Sequence, residues 1–233
     1  MIAIIDYGVG NLFSLAHSLT AVGAEAVVTG EAEVIRRADH VILPGVGAFG
    51  DAAKKLRETK LDALVKDIAA RGTPIMGICL GMQLLLEKSF EFGEHAGLGL
   101  IPGEVMPIAQ VIPADYKIPH IGWNALELRY WHRYTAPNAS GNRFRLNPPL
   151  PHTIFEKVEI GDCGYFVHSF YGAKCDDYVI ATAEYGAPLT AAVGKGNVVG
   201  CQFHPEKSGD VGLRILKSFT TWDGQDNEYI PGN

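Results

Sequence analysis

Residues 73–83 read Thr-Pro-Ile-Met-Gly-Ile-Cys-Leu-Gly-Met-Gln, and they constrain the fold more tightly than any other stretch of the chain. Ile75, Met76 and Ile78 form an apolar run of the length of a buried strand. The run stops at Cys79, framed by Gly77 and Gly81, and a helix-forming segment over 82–88 follows at once. A strand that turns directly into a helix around a thiol lifts that thiol clear of its own backbone. The partial positive charge at the helix N-terminus then favours thiolate over thiol. The plain alternative is a small apolar cysteine ending a core strand.

Strand and helix signals alternate through the first half. Strands are expected at 2–5, 26–28 and 40–43, the last stopped by Pro44-Gly45. Helices are expected at 11–22, with Leu12, Leu15, Ala16 and Leu19 on one face, and at 51–70, through Leu56, Leu61, Leu64, Val65 and Ile68. Such alternation implies a parallel sheet with helices on its faces. Reactive loops of such sheets lie at the carboxyl ends of the strands, where Gly8-Val9-Gly10-Asn11, Pro44-Gly45-Val46-Gly47 and Cys79 all fall. The second half changes character. Strands at 104–111, 124–128, 165–167, 178–183, 190–193 and 198–203 follow one another without helices until 209–221. They either extend the first sheet in antiparallel fashion or form a smaller second one. The expected organisation is one domain over 1–221, with a surface insertion at 130–151 and a polar tail at 222–233.

The sequence Gln202-Phe203-His204-Pro205-Glu206-Lys207 supplies what a nucleophilic cysteine needs: a base and a carboxylate to orient it. His204 and Glu206, two apart, point the same way if the segment is extended, and Pro205 biases His204 toward that conformation. A thiolate attacking a carbonyl also needs donors for the developing oxyanion. The Leu80 N–H and the glycine-rich loop carrying Val46 and Gly47 are the candidates.

Other classes of function are disfavoured. A net charge of −6 over 233 residues argues mildly against nucleic acid. Four cysteines are too few for a disulfide scaffold, and the apolar opening run ended by Asp6 reads as a strand and not a signal peptide, so a cytoplasmic setting is expected. No cofactor or metal is expected. Cys201 and His204 share a Cys-x-x-His spacing, but strand alternation puts them on opposite faces. Gly8-Val9-Gly10 lacks the third glycine and the distant acid of a dinucleotide loop. His120 and His168 read as hydrogen-bonded structural histidines.

Taken together, these motifs resemble class I (triad-type) glutamine amidotransferases. The more specific resemblance is to the glutaminase subunits of imidazole glycerol phosphate synthase. It rests on Asp6-Tyr7-Gly8-Val9-Gly10-Asn11, Leu43-Pro44-Gly45-Val46-Gly47, Gly77-Ile78-Cys79-Leu80-Gly81, Pro119-His120-Ile121-Gly122-Trp123-Asn124, Tyr165-Phe166-Val167-His168-Ser169 and Gln202-Phe203-His204-Pro205-Glu206. The similarity runs from the first residue to about Phe219. It implies an α/β, flavodoxin-like mixed sheet flanked by helices, with antiparallel strands in the C-terminal half.

The resemblance also implies roles. Cys79, His204 and Glu206 are the triad that hydrolyses glutamine to glutamate and ammonia through a γ-glutamyl thioester. Leu80, Val46 and Gly47 flank the oxyanion. Gln83, Ser169 and Glu91 hold the glutamine, Glu91 by its α-ammonium. Ammonia passes to a separate (β/α)₈ cyclase subunit in histidine biosynthesis, and Asn11, Trp123 and Lys207 match positions at that interface. For Trp123, core packing is an equal reading. Family members turn over little glutamine alone, and the segment 44–47 is expected to change its peptide orientation when the partner is loaded. The alternative is a paralogue feeding ammonia to a different synthase, in surface-sugar biosynthesis. A catalytically dead scaffold and a stand-alone cysteine hydrolase are the rivals of other classes.

Overall fold

The computed structural model of the chain describes residues 1–129 and 154–225. The expected insertion at 130–151 lies outside them, as does the tail from 226 onward. In chain order the first half runs β1 (Ile2–Ile5), α1 (Leu12–Ala21), β2 (Ala26–Thr29), α2 (Ala32–Arg36), β3 (His40–Leu43), α3 (Phe49–Glu58), α4 (Leu61–Ala70), β4 (Ile75–Ile78) and α5 (Leu80–Leu85). It continues with β5 (Lys88–Ser89), β6 (His95–Ala96), β7 (Glu104–Pro107), β8 (His120–Ala125), β9 (Glu127–Leu128), β10 (Cys163–His168), β11 (Phe170–Ala173), β12 (Val179–Glu184), β13 (Pro188–Lys195), β14 (Val198–Cys201) and α6 (Gly209–Phe219).

The main sheet has eight strands in the order β2-β1-β3-β4-β14-β13-β12-β9. β2, β1, β3, β4 and β14 are parallel, and β13, β12 and β9 are added antiparallel at one side. Period-two alternation sorts the strand residues between two cores. Ala3 and Ile5 of β1 face Leu56, Leu64 and Ile68 of α3 and α4. Ile2 and Ile4 face Leu15 and Leu19 of α1 and Ile215, Leu216 and Phe219 of α6. Helices therefore cover both faces, as strands buried on both sides require. A four-stranded sheet, β11-β7-β5-β6, and a two-stranded ribbon, β10-β8, stand apart from the main sheet. The antiparallel half thus does both things the sequence left open: it extends the first sheet and forms smaller ones.

Several expected boundaries move. The helix expected over 51–70 is two helices. The Thr59 hydroxyl donates to the carbonyls of Lys55 and Leu56, which ends α3, and Lys60 takes a left-handed φ of 59° before α4 starts. The five-residue step from Leu56 to Leu61, which breaks helical periodicity, is the sequence trace of that break. The helix expected at 82–88 starts two residues earlier and ends at Leu85, because Leu86 turns extended and leads into β5. The strand expected at 104–111 stops at Pro107, followed by a 3₁₀ turn at Ile108–Gln110. The strand expected at 124–128 is split: β8 belongs to the ribbon and β9 to the main sheet. The short helix α2 and strands β5, β6 and β11 were not expected. Trp222, placed in the tail, is core: it is 5% exposed and packs on Phe219. No helix of the described residues is long and apolar enough to cross a membrane.

Candidate active site

Cys79 stands between β4 and α5, at the carboxyl end of a central parallel strand. Its φ of 55° and ψ of −112° lie outside the regions side-chain-bearing residues ordinarily occupy. The sheet holds it there: the Cys79 N–H donates to Cys201 O across 2.7 Å, one step beyond the pairing of Ile78 with Cys201. The framing glycines are a packing requirement. A Cβ on Gly81 would lie 1.8 Å from Leu43 O, and one on Gly77 would lie 2.7 Å from Gly81 O. The elbow is thereby pressed against the end of β3. The loop leaving β3 is tied in turn by the Tyr7 hydroxyl, which donates to Pro44 O at 2.8 Å. Burial, and secondarily the charge of Cys79, push the Tyr7 phenol far above its ordinary range, so it stays a neutral donor.

His204 follows β14 in an extended conformation, and its N–H donates to Tyr165 O at 2.9 Å. Ser208 fixes the same corner: its hydroxyl donates to His204 O at 2.7 Å and accepts the Tyr165 N–H at 3.0 Å. The imidazole Nδ1 meets Glu206 Oε1 at 2.8 Å, and both side chains are 3% exposed. The geometry differs from the expected strand alternation. Residues Pro205–Lys207 form a 3₁₀ turn, and that turn folds the carboxylate back onto the ring. Burial alone would lower the His204 pKa. Hydrogen bonds with Cys79 and Glu206, and the charges of both, outweigh it and raise the ring to about 9. Cys79 and His204 share one cavity wall, with Glu206 bonded to the far side of the ring.

These residues line a cavity of about 470 Å³, a volume suited to a small polar ligand. Val46, Gly47, Leu80, Gln83, Glu91, Ser169, Cys79 and His204 all contribute to its wall, so the structure gathers the expected catalytic, oxyanion and substrate positions in one place, with Glu206 behind the histidine. Gln83 is 5% exposed, and its Nε2 donates to Phe170 O at 3.1 Å and Gln202 Oε1 at 2.9 Å. Glu91 Oε2 accepts the Phe49 N–H at 2.6 Å, joining the carboxylate to the start of α3 just after the glycine loop.

Asn11, Trp123 and Lys207 lie outside the cavity. Trp123 is 55% exposed, not core. It meets the Tyr165 ring edge-on at 5.6 Å, and Lys207 Nζ stands 5.9 Å over the same ring. Asn11 immediately precedes α1, a helix that packs beside the turn bearing Lys207. Three positioning residues were not singled out from sequence: Tyr7, Gln202 and Ser208. Tyr7 and Gln202 sit inside quoted motifs and Ser208 directly follows one, and Gln202, fully buried, points its amide at Cys79 Sγ at 3.8 Å. Among the described residues no group of three or more His, Cys, Asp or Glu is arranged to hold a metal ion.

A three-layer α/β sheet with a cysteine elbow, a histidine–glutamate pair and a glycine loop on one cavity defines the class. The model of the glutamine amidotransferase class-I family matches residues 3–221, and the chain belongs to that family. The particular relatives are imidazole glycerol phosphate synthase subunits HisH. The Lactococcus lactis protein is 46% identical over 94% of this chain and 96% of its own. The Wolinella succinogenes protein is 44% identical over 94% and 98%, and that of Bacillus cereus 45% over 94% and 93%. Among solved structures, a glutamine amidotransferase aligns with a TM-score of 0.67 at 19% identity, covering 94% of this chain and all of that one. PurLQS from Thermotoga maritima aligns at 0.68 and 24%, covering 94% and 96%. These two likenesses concern the fold.

Proposed function

We propose that this chain is the glutaminase subunit of an imidazole glycerol phosphate synthase, releasing ammonia from glutamine for histidine biosynthesis in the cytoplasm. The observation that carries the reading is Cys79, in a left-handed elbow on the cavity wall, sharing that cavity with a His204 that Glu206 orients. In the reaction, Cys79 Sγ attacks the side-chain amide carbon of glutamine. The C=O π pair moves onto oxygen, which the Leu80 N–H and the 46–47 peptide stabilise. His204 gives its proton to the amide nitrogen, ammonia leaves, and a γ-glutamyl thioester remains. His204 then takes a proton from water as that water attacks the thioester, and thiolate and glutamate are released. Gln83, Ser169 and Glu91 hold the substrate's backbone groups.

The relatives are named as subunits of the synthase, which supports a separate cyclase partner of (β/α)₈ fold. The acceptor site therefore belongs to a cyclase partner, docked on the face that carries Trp123, Lys207 and Asn11. The positive φ of Gly47, 97°, supports a peptide able to rotate when the partner is loaded. The test is glutaminase turnover of the chain alone, with the cyclase, and with the cyclase plus its nucleotide ligand. Turnover that rises with each addition is expected. Equal turnover in all three would remove the coupling, and none in any would remove the function.

A further inference from the structure

Two buried histidines outside the triad form a hydrogen-bonded chain that is one proton short. His168 Nδ1 lies 2.8 Å from Phe170 O, and its Nε2 lies 3.0 Å from His120 Nδ1. His120 Nε2 lies 2.8 Å from Asn124 Oδ1, and Asn124 Nδ2 donates to Glu184 O at 2.8 Å. The chain begins and ends on carbonyl oxygens, which only accept. It contains four contacts. Two neutral imidazoles supply one proton each and the amide supplies one, whichever way the amide is turned. Three protons cannot fill four links.

A fourth proton is resisted. Burial pushes His168 down to about 4, with repulsion from His120 and His204 adding to it, and burial also lowers His120. His120 is sandwiched between Tyr185 at 4.1 Å and Phe166 at 5.0 Å, rings that offer no counter-charge. At neutral pH the pair is uncharged and one link stays open. Its place is set by the tautomers. With both rings protonated on Nδ1, His168 holds the Phe170 carbonyl and the opening lies toward Asn124. With both protonated on Nε2, Asn124 is held and the opening lies at Phe170.

The two ends are functionally distinct. Phe170 O also accepts from Gln83, whose amide leads through Gln202 to Cys79. Asn124 is half-buried on β8 next to the exposed Trp123, and Glu184 faces Pro188, which has no N–H to give its carbonyl. We infer that His120 and His168 are positioning residues for the glutamine pocket, a tautomeric relay joining the Trp123 edge of β8 to the Phe170 carbonyl. The inference rests on the glutaminase reading. Its two-state element is the proton arrangement, which either end biases by stabilising its own link.

The test is ¹⁵N NMR of the histidine-labelled chain at neutral pH, free and with glutamate, and then with the cyclase. The rings are assigned through His120→Phe and His168→Phe. Both rings neutral, with the Nδ1-to-Nε2 balance shifting when the pocket or the edge is occupied, is expected. His168→Phe should raise the KM for glutamine by about 2- to 10-fold, the loss of one hydrogen bond, with kcat little changed. His120→Phe leaves His168 able to hold Phe170 and should raise KM less than His168→Phe does, while abolishing the shift. Fixed tautomers in an active glutaminase would overturn the relay alone, as would equal KM effects of the two variants. A chain with no glutaminase activity even with its partner would overturn the underlying reading instead.

Discussion

Gly81 and Leu43 touch so closely that no side chain fits between them: a Cβ on the glycine would lie 1.8 Å from the Leu43 carbonyl oxygen. The nucleophile's helix is thereby fixed to the strand that carries the glycine loop. Cys79 and the proposed oxyanion loop are held at one distance by backbone contact. Gly81→Ala should destabilise the fold by about 1–3 kcal/mol through overpacking. It should also slow Cys79 chemistry, because any relief separates the two loops. Thermal denaturation and a glutaminase assay of the same preparation check both halves. A variant with unchanged melting and turnover would mean that the contact relaxes freely.

The pair formed by His204 and Glu206 makes a second prediction. Glu206→Gln keeps the shape but removes the charge and the constraint on the tautomer. A loss of kcat of about 10²–10⁴-fold is expected, the range associated with positioned acid–base help. The KM for glutamine should move far less, since Glu206 stands behind the histidine and not on the cavity wall.

Stability should depend on pH through the same ring. The folded His204 pKa, about 9, lies above the ordinary histidine value of 6.5. The folded state thus binds the extra proton between those values. The resulting stabilisation is complete below about pH 6.5 and disappears as pH rises through about 9. Denaturant midpoints measured from pH 6 to 10 should fall across that window. Cys79→Ala should flatten the fall, because the Cys79 interactions are the largest of those that raise the ring.

Cysteine labelling should be selective. Burial holds the Cys175 thiol up at about 11 and raises Cys201 further. Neither offers thiolate at neutral pH. A glutamine-like electrophile should modify Cys79, and Cys79→Ala should abolish that adduct, read by mass spectrometry of the digested chain. Modification of Cys201 at the same rate would contradict the burial seen here.

Trp123 is the exposed aromatic of the proposed partner face. Buried aromatic anchors dominate many interfaces, so Trp123→Ala should weaken cyclase binding by about 2 kcal/mol or more, roughly 30-fold in Kd. Calorimetric titration with the cyclase measures it directly.

Much of this protein can be read along the chain because the information is local. The alternation of strand and helix signals, the cysteine between glycines, and the His-Pro-Glu run each report on their own neighbourhood. They led to the parallel half of the sheet, the elbow and the triad. What local pattern could not supply is pairing. Residues 120–125 and 127–128 are separated by one residue, yet they join different sheets. Which strand accepts which is set by long-range contacts. The burial of Trp222 depends on what the rest of the chain leaves uncovered. The four-link chain through His120 and His168 is the clearest case. The sequence marks both residues as ordinary structural histidines, and only the register of β8 against β10 sets their rings together with carbonyl oxygens at either end. Hydrogen-bond balance is a property of such closed networks, so it exists only once the chain has folded.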